Sequence, residues 1–343
     1  MNLFCNITKW GIAMAACAAM AACGSDEPSP TGGEEKGELR LLVSVPDRAT
    51  RAIGDPGDEP QEADMWDRVS VIATFPGEQE VEREVYIKSF DRADYEQLPP
   101  YNGNEKIRVV TMDVSEGDAY IYGVTYNTAV DGNNLEKAIQ ACTTDAEVRA
   151  LTIGNNYADG MQYSLPLKLS VATGYYKDAD GKQATFNTRK GASTGLPEGE
   201  LPVVRLTRLA SKFDVQWDAA DAYAQGYTDV EVTGFEFEGT SAGRLFPALN
   251  ANSAALTPQT LTFVNDTEIS RRNGRVYHYA YPDGVTRPQL HFNISAASAD
   301  GRKEADYALA FKDAPAQASW YKVNVTIRGL SASGSYTIQL VEN

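Results

Sequence analysis

A few groups of residues in this chain have the types and spacing that chemistry asks for. Gly239-Thr240-Ser241-Ala242-Gly243 fits G-x-S-x-G, the turn that presents a nucleophilic serine between a strand and a helix. A strand-like run precedes it, but Arg244-Leu245-Phe246-Pro247 follows where a helix should begin. Parallel α/β organisation is also missing, so a Gly-rich strand connection fits Ser241 better than a hydrolase elbow. The two histidines, His278 and His291, both lie in strand-like runs, and neither has a second ligand at metal spacing. Asp178-Ala179-Asp180-Gly181 has the start of a calcium loop but lacks the third acidic position and the distal Glu. A hairpin turn is the better reading. No P-loop, dinucleotide fingerprint, catalytic Cys/His pair or CxxC pair occurs. The residues therefore assign no catalytic, cofactor-binding or metal-ligating site, and the expectation is a protein without cofactor that is not an enzyme.

The cysteines carry a different chemistry. There are four: Cys5, Cys17, Cys23 and Cys142. One charge, Lys9, is followed by an apolar run from Trp10 to Ala22, which has the length of a signal peptide and is short for a membrane span. The run ends Met20-Ala21-Ala22-Cys23-Gly24-Ser25. This resembles the bacterial lipobox, which implies acylation of the Cys23 thiol and cleavage before it. An ordinary secretory cleavage site with an incidental Cys23 is the alternative, but the small residues, the cysteine and the polar stretch after it agree on the lipobox. Residues 1–22 are then the signal peptide. Cys142 is left alone, without a disulfide partner, and reads as a small buried hydrophobe.

Residues 23–37 hold acidic, Gly, Ser and Pro residues and suit a flexible tether. The acidic run resembles an export signal of surface-exposed lipoproteins; a plain spacer fits equally well. The formal net charge of −16 becomes one unit more negative when residues 1–22, with one Lys and no acid, are lost. Such a chain lacks the basic footprint that nucleic acid or anionic lipid requires. Attachment to a membrane must come from the lipid.

The elements behind these residues are mostly short strands. Roughly 300 residues remain after the leader, which suggests two domains. Period-two runs occur at 39–45, 69–75, 107–114, 119–126 and 165–171, the last with Pro166 placing it at a sheet edge. Residues 201–209 read as one strand at the junction of two domains, 38–200 and 201–343. Further runs at 213–217, 230–237, 276–281, 290–294, 320–327 and 336–341 make the second half more strongly β. Between them, Leu135, Ala138, Ile139 and Cys142 recur at helical spacing, and a second short helix follows, capped by Thr144 or Asp145. These helices should lie beside a sandwich.

Several segments, in order, resemble the fimbrillin or type V pilin family. After the lipobox come the strand 39–45 and Arg48-Ala49-Thr50-Arg51-Ala52-Ile53-Gly54, then Asp67-Arg68-Val69-Ser70-Val71-Ile72-Ala73-Thr74-Phe75-Pro76-Gly77. Val203-Val204-Arg205-Leu206-Thr207-Arg208-Leu209-Ala210-Ser211-Lys212-Phe213-Asp214-Val215 is similar to the start of the family's second domain, and Trp320-Tyr321-Lys322-Val323-Asn324-Val325-Thr326-Ile327-Arg328-Gly329 to its late strand. The resemblance implies an all-β fold of two tandem transthyretin-like β-sandwich domains, with the short helices in the N-terminal one. It implies an outer-membrane, surface-exposed lipoprotein of a fimbrium. An arginine-specific protease would cut after the first strand, at Arg51 or the neighbouring Arg48. The groove so opened would be filled by a strand of another subunit, through main-chain hydrogen bonds and alternating side chains. The partners implied are other pilus subunits, the outer membrane through the lipid, and host or bacterial surface ligands.

Only residues 330–343 follow the late strand, fewer than in the family's stalk subunits, which favours an anchor or tip position. Tyr336, Ile338 and Leu340 share one face of the final run and form a candidate donor strand, with Ser331-Ala332-Ser333-Gly334-Ser335 as a hinge. The same run also reads as the last resident strand of the second domain. A stand-alone surface binding lipoprotein on the same fold is the alternative function.

Overall fold

The computed structural model describes residues 36–46, 66–77, 83–130, 134–155, 165–189, 192–193, 200–262, 273–328, 330 and 335–341. Cys23, Arg48 and Arg51 lie outside them.

Alternating apolar residues set the first half. Its strands are β1 (Lys36–Ser44), β2 (Arg68–Thr74), β3 (Val85–Asp91), β4 (Pro100–Tyr101), β5 (Asn104–Ser115), β6 (Asp118–Tyr126), β7 (Thr152–Gly154), β8 (Ala172–Tyr175), β9 (Thr185–Asn187), β10 (Val203–Arg205) and β11 (Thr207–Arg208). One sheet has the order β10-β1-β5-β4 and the other β11-β8-β6-β2-β3, with β9 also paired to β6. Leu39, Leu41 and Val43 from the first sheet meet Val69, Val71, Ala119 and Ile121 from the second in one core. The fold is a β-sandwich because each strand gives alternate side chains to that core. Leu42, on the opposite face of β1, is also buried, in a cluster with Val109 and Leu201.

The expected strand at 201–209 is two short strands in two sheets. β10 runs parallel to β1, β11 pairs antiparallel with β8, and Leu206 between them turns into the core. β11 is the last strand in chain order to pair within these two sheets.

The second half holds β12 (Ser211–Asp218), β13 (Thr228–Thr240), β14 (Ala242–Arg244), β15 (Pro258–Thr262), β16 (Asn273–Ala280), β17 (Gln289–Ser298), β18 (Gly301–Ala310), β19 (Trp320–Thr326) and β20 (Ser335–Val341). Two four-stranded sheets, β16-β12-β19-β20 and β15-β13-β17-β18, enclose Phe213, Val215, Trp217, Phe235, Phe237 and Val323. The chain is thus all-β with a few short helices.

Among those helices, α1 (Arg92–Gln97) follows β3, and α5 (Ala220–Ala224) follows β12. The pair expected beside the sandwich is present as α2 (Asn134–Ala141) and α3 (Asp145–Ala150). Thr144 caps α3 in a capping box with Glu147. The edge strand expected at 165–171 is instead α4 (Leu165–Ser170). Proline is tolerated in a helix's first turn, where its missing N–H has no acceptor to lose. The helix also delivers Lys168 to the carbonyl of Tyr279 on β16. That tertiary contact is invisible to a period-two pattern.

Candidate functional site

β1 sits in the middle of its sheet. It runs antiparallel to β5 from Lys36↔Ser115 to Ser44↔Ile107, and parallel to β10 from Leu42↔Val203 to Ser44↔Arg205. Leu39, Leu41 and Val43 are fully buried. Both ends are fastened. At Gly37 a Cβ would stand 2.5 Å from the Thr188 carbonyl oxygen and 2.8 Å from that of Ser115, so only glycine permits the approach. Ser193 Oγ accepts from the Arg40 N–H and donates to the Glu38 carbonyl. At the other end the buried Tyr95 hydroxyl donates to the Val43 carbonyl at 2.9 Å. Burial and the loss of its water raise the Tyr95 pKa well above the ordinary tyrosine value, so it stays a donor. β1 is therefore a strand slot with identifiable walls, and its chain continues toward Arg48 and Arg51.

The candidate donor residues fall on β20, at the edge of its sheet. β20 pairs with β19, which places Tyr336 opposite Val325, Ile338 opposite Val323 and Leu340 opposite Tyr321. The run occupies a place in its own sheet in this structure.

The two sandwiches are joined by buried groups that the sequence did not single out. α2, α3 and the outer face of the sheet containing β6 share one apolar cluster with Leu245, Phe246, Tyr279 and Tyr281. Asn155 Nδ2 donates to the Tyr281 carbonyl at 3.0 Å, its Oδ1 accepts from the Tyr281 N–H at 2.8 Å, and β7 pairs with β14. Lys168, 3% exposed, reaches the Tyr279 carbonyl at 3.1 Å and lies 5.3 Å from the centre of the Tyr281 ring. Burial pushes its pKa down to about 7. Asp145 accepts from Thr74 and Tyr122 and pairs with Arg149 at 2.6 Å, which fixes α3 on the sheet. The sequence signal for this joint was slight: a lysine set between Leu167 and Leu169.

The residues weighed for chemistry are absorbed by structure. His278 is buried on β16 beside the rings of Phe213 and Phe237, and burial holds its pKa well below the usual histidine value. His291 on β17 contacts Asp306 at 3.0 Å and Glu238 at 3.5 Å, and the Asp306 hydrogen bond raises its pKa. No group of three metal-ligating side chains occurs among the described residues. The Asp178 carboxylate accepts from the N–H groups of Asp180 and Lys182, so it builds the hairpin turn. Ser241 is held through its backbone to Thr257 and Asn155, and β14 follows it instead of a helix. Cys142 is buried, its Sγ donates to the Ala138 carbonyl, and burial raises its pKa to about 11.

No family model matches the chain, and no curated protein matches it. Solved structures do. A "putative cell adhesion protein" from Parabacteroides distasonis matches with a TM-score of 0.54 at 11% identity, over 89% of this chain and 96% of that one. A protein under the same name from Bacteroides eggerthii matches at 0.48 and 14% identity, over 89% and 96%. The tip fimbrial protein Mfa3 from Porphyromonas gingivalis, with a C-terminal truncation, matches at 0.44 and 10% identity, over 89% and 99%. At these identities the first likeness shows a shared fold along nearly the whole of both chains.

Proposed function

We propose that the chain is a structural subunit of a surface fimbrium, carried to the outer membrane as a lipoprotein through Cys23 and assembled by strand exchange. The observation that carries this reading is the β1 slot. A central strand with three fully buried side chains precedes Arg48 and Arg51, so a cut there would leave β1 held by non-covalent contacts alone. A sheet that loses such a strand exposes apolar core and unpaired backbone, and an incoming strand repairs both. The two halves act as tandem transthyretin-like domains. The run containing Tyr336, Ile338 and Leu340 serves as donor after leaving its edge position. Partners are neighbouring subunits and, at the surface, host or bacterial ligands. The names of the solved structures, cell adhesion and tip fimbrial proteins, agree with this role. The test is a surface-fraction gel of cells carrying Arg48→Ala and Arg51→Ala together. Loss of high-mass polymers with retention of the lipidated monomer supports the reading. Polymers of normal length in that variant, or a chain that is monomeric in unmodified cells, favour a stand-alone surface binding lipoprotein.

A further inference from the structure

Resting on the strand-exchange reading, we propose that the strand which takes the place of β1 carries a carboxylate at the position Val45 holds, received by Arg108. The core-facing row of β5 runs Val114, Met112, Val110 and then Arg108. The first three belong to the apolar core, and the row ends on an arginine that is only 7% exposed. One Nη1–H donates to the Leu98 carbonyl at 2.9 Å, while Nε is buried without an acceptor. No carboxylate among the described residues pairs with the guanidinium. A buried cation in this condition is destabilising unless an anion meets it.

The space for that anion is present. A cleft of about 600 Å³ opens at the end of β1, lined by Val45, Trp66, Tyr95, Lys106, Arg108 and Arg208 among others. Two acids also line it. Glu96 is already paired with Arg92 at 2.7 Å, and Glu105 belongs to the alternate, outward row of β5. The ladder sets the geometry. Val43 stands opposite Arg108 and Ser44 opposite Ile107, and the Val45 N–H donates to the Lys106 carbonyl at 3.3 Å. Val45 is therefore directly across from Lys106 and diagonal to Arg108, within reach of a long side chain. A half-buried valine offers the Arg108 guanidinium no acceptor. Asp or Glu at the same register would give Arg108 a charge-assisted partner, and a strand with a neutral residue there would leave it unpaired. The slot would thus select its strand by one charge as well as by the apolar row.

The full chain tests this directly. Val45→Glu should melt about 2–4 °C above Val45→Gln in low salt. The gap should narrow only in part in 1 M salt, because the pair is partly buried, and should close in an Arg108→Met background, with Arg108→Gln as a second variant where Met does not fold. Val45→Glu melting at or below Val45→Gln overturns the proposal. A second measurement separates it from the reading beneath it. Chain cut after Arg51 and freed of its own strand is offered two synthetic peptides of residues 36–46, one with Val and one with Glu at position 45. Tighter retention of the Glu peptide, tenfold or more, supports the proposal. Equal retention overturns it and leaves strand exchange standing. If neither peptide enters the slot, strand exchange itself fails and the proposal with it.

Discussion

Cutting the chain after Arg51 should convert β1 from a fixed strand into a bound peptide, and the size of the effect follows from the slot. Leu39, Leu41 and Val43 are fully buried, and each such side chain contributes about 1.5–3 kcal/mol relative to exposure. Together they supply roughly 5–9 kcal/mol, comparable with the whole stability of an ordinary domain, about 5–15 kcal/mol. While the peptide stays in place, the cut chain should unfold at a midpoint that rises with protein concentration, because the strand is now a ligand. Once the peptide is removed by mild denaturant and dialysis, the first half should lose most of its stability or associate through the open slot. Urea unfolding of intact, cut and peptide-freed chain, followed by light scattering, measures both. Peptide-freed chain that is monomeric and unfolds at the intact midpoint would refute the reasoning.

Three further outcomes follow from other parts of the structure. Cys23→Ser should abolish lipidation and misplace the protein; palmitate label on that variant contradicts the lipobox. Lys168 has a folded pKa of about 7, below its unfolded value, so from about pH 7 to 10 the unfolded chain binds the extra proton and stability rises with pH. The gain should be on the order of 2–4 kcal/mol across that window and absent in Lys168→Met, whereas a flat unfolding curve from pH 7 to 9.5 in the unmodified chain contradicts the buried-lysine account. Deleting residues 336–343 should stop polymerisation while the monomer stays folded. Unfolding of the second half would make β20 a resident strand only, and normal fibres would remove its donor role.

Local pattern was legible where one face of an element decides its place. Residues 69–75 and 213–217 alternate because Val69, Val71 and Ala73, and Phe213, Val215 and Trp217, each join a sandwich core, although the opposite faces are largely buried too, and Thr144 with Glu147 wrote a capping box into the chain. The slot's apolar row, Leu39, Leu41 and Val43, was readable for the same reason. Long-range partners were not. Lys168 and Tyr279 are 111 residues apart, so nothing near Lys168 announces that α4 must present it to β16. The parallel pairing of β1 with β10 and the splitting of 201–209 between two sheets are likewise set by distant partners. Arg108 had a faint signal, a charge on the apolar row of a strand, but the pattern alone could not show that Glu96 was spoken for by Arg92.

The central claim, that β1 is cut away and its slot refilled, is tested most directly by mass spectrometry of the N-terminus of this chain in fibres stripped from the cell surface. The account predicts chains that begin after Arg51 or Arg48, with the segment bearing β1 absent from the fibre. Assembled chains that all retain a lipidated Cys23 joined to an uncut residue 36–51 segment would contradict it.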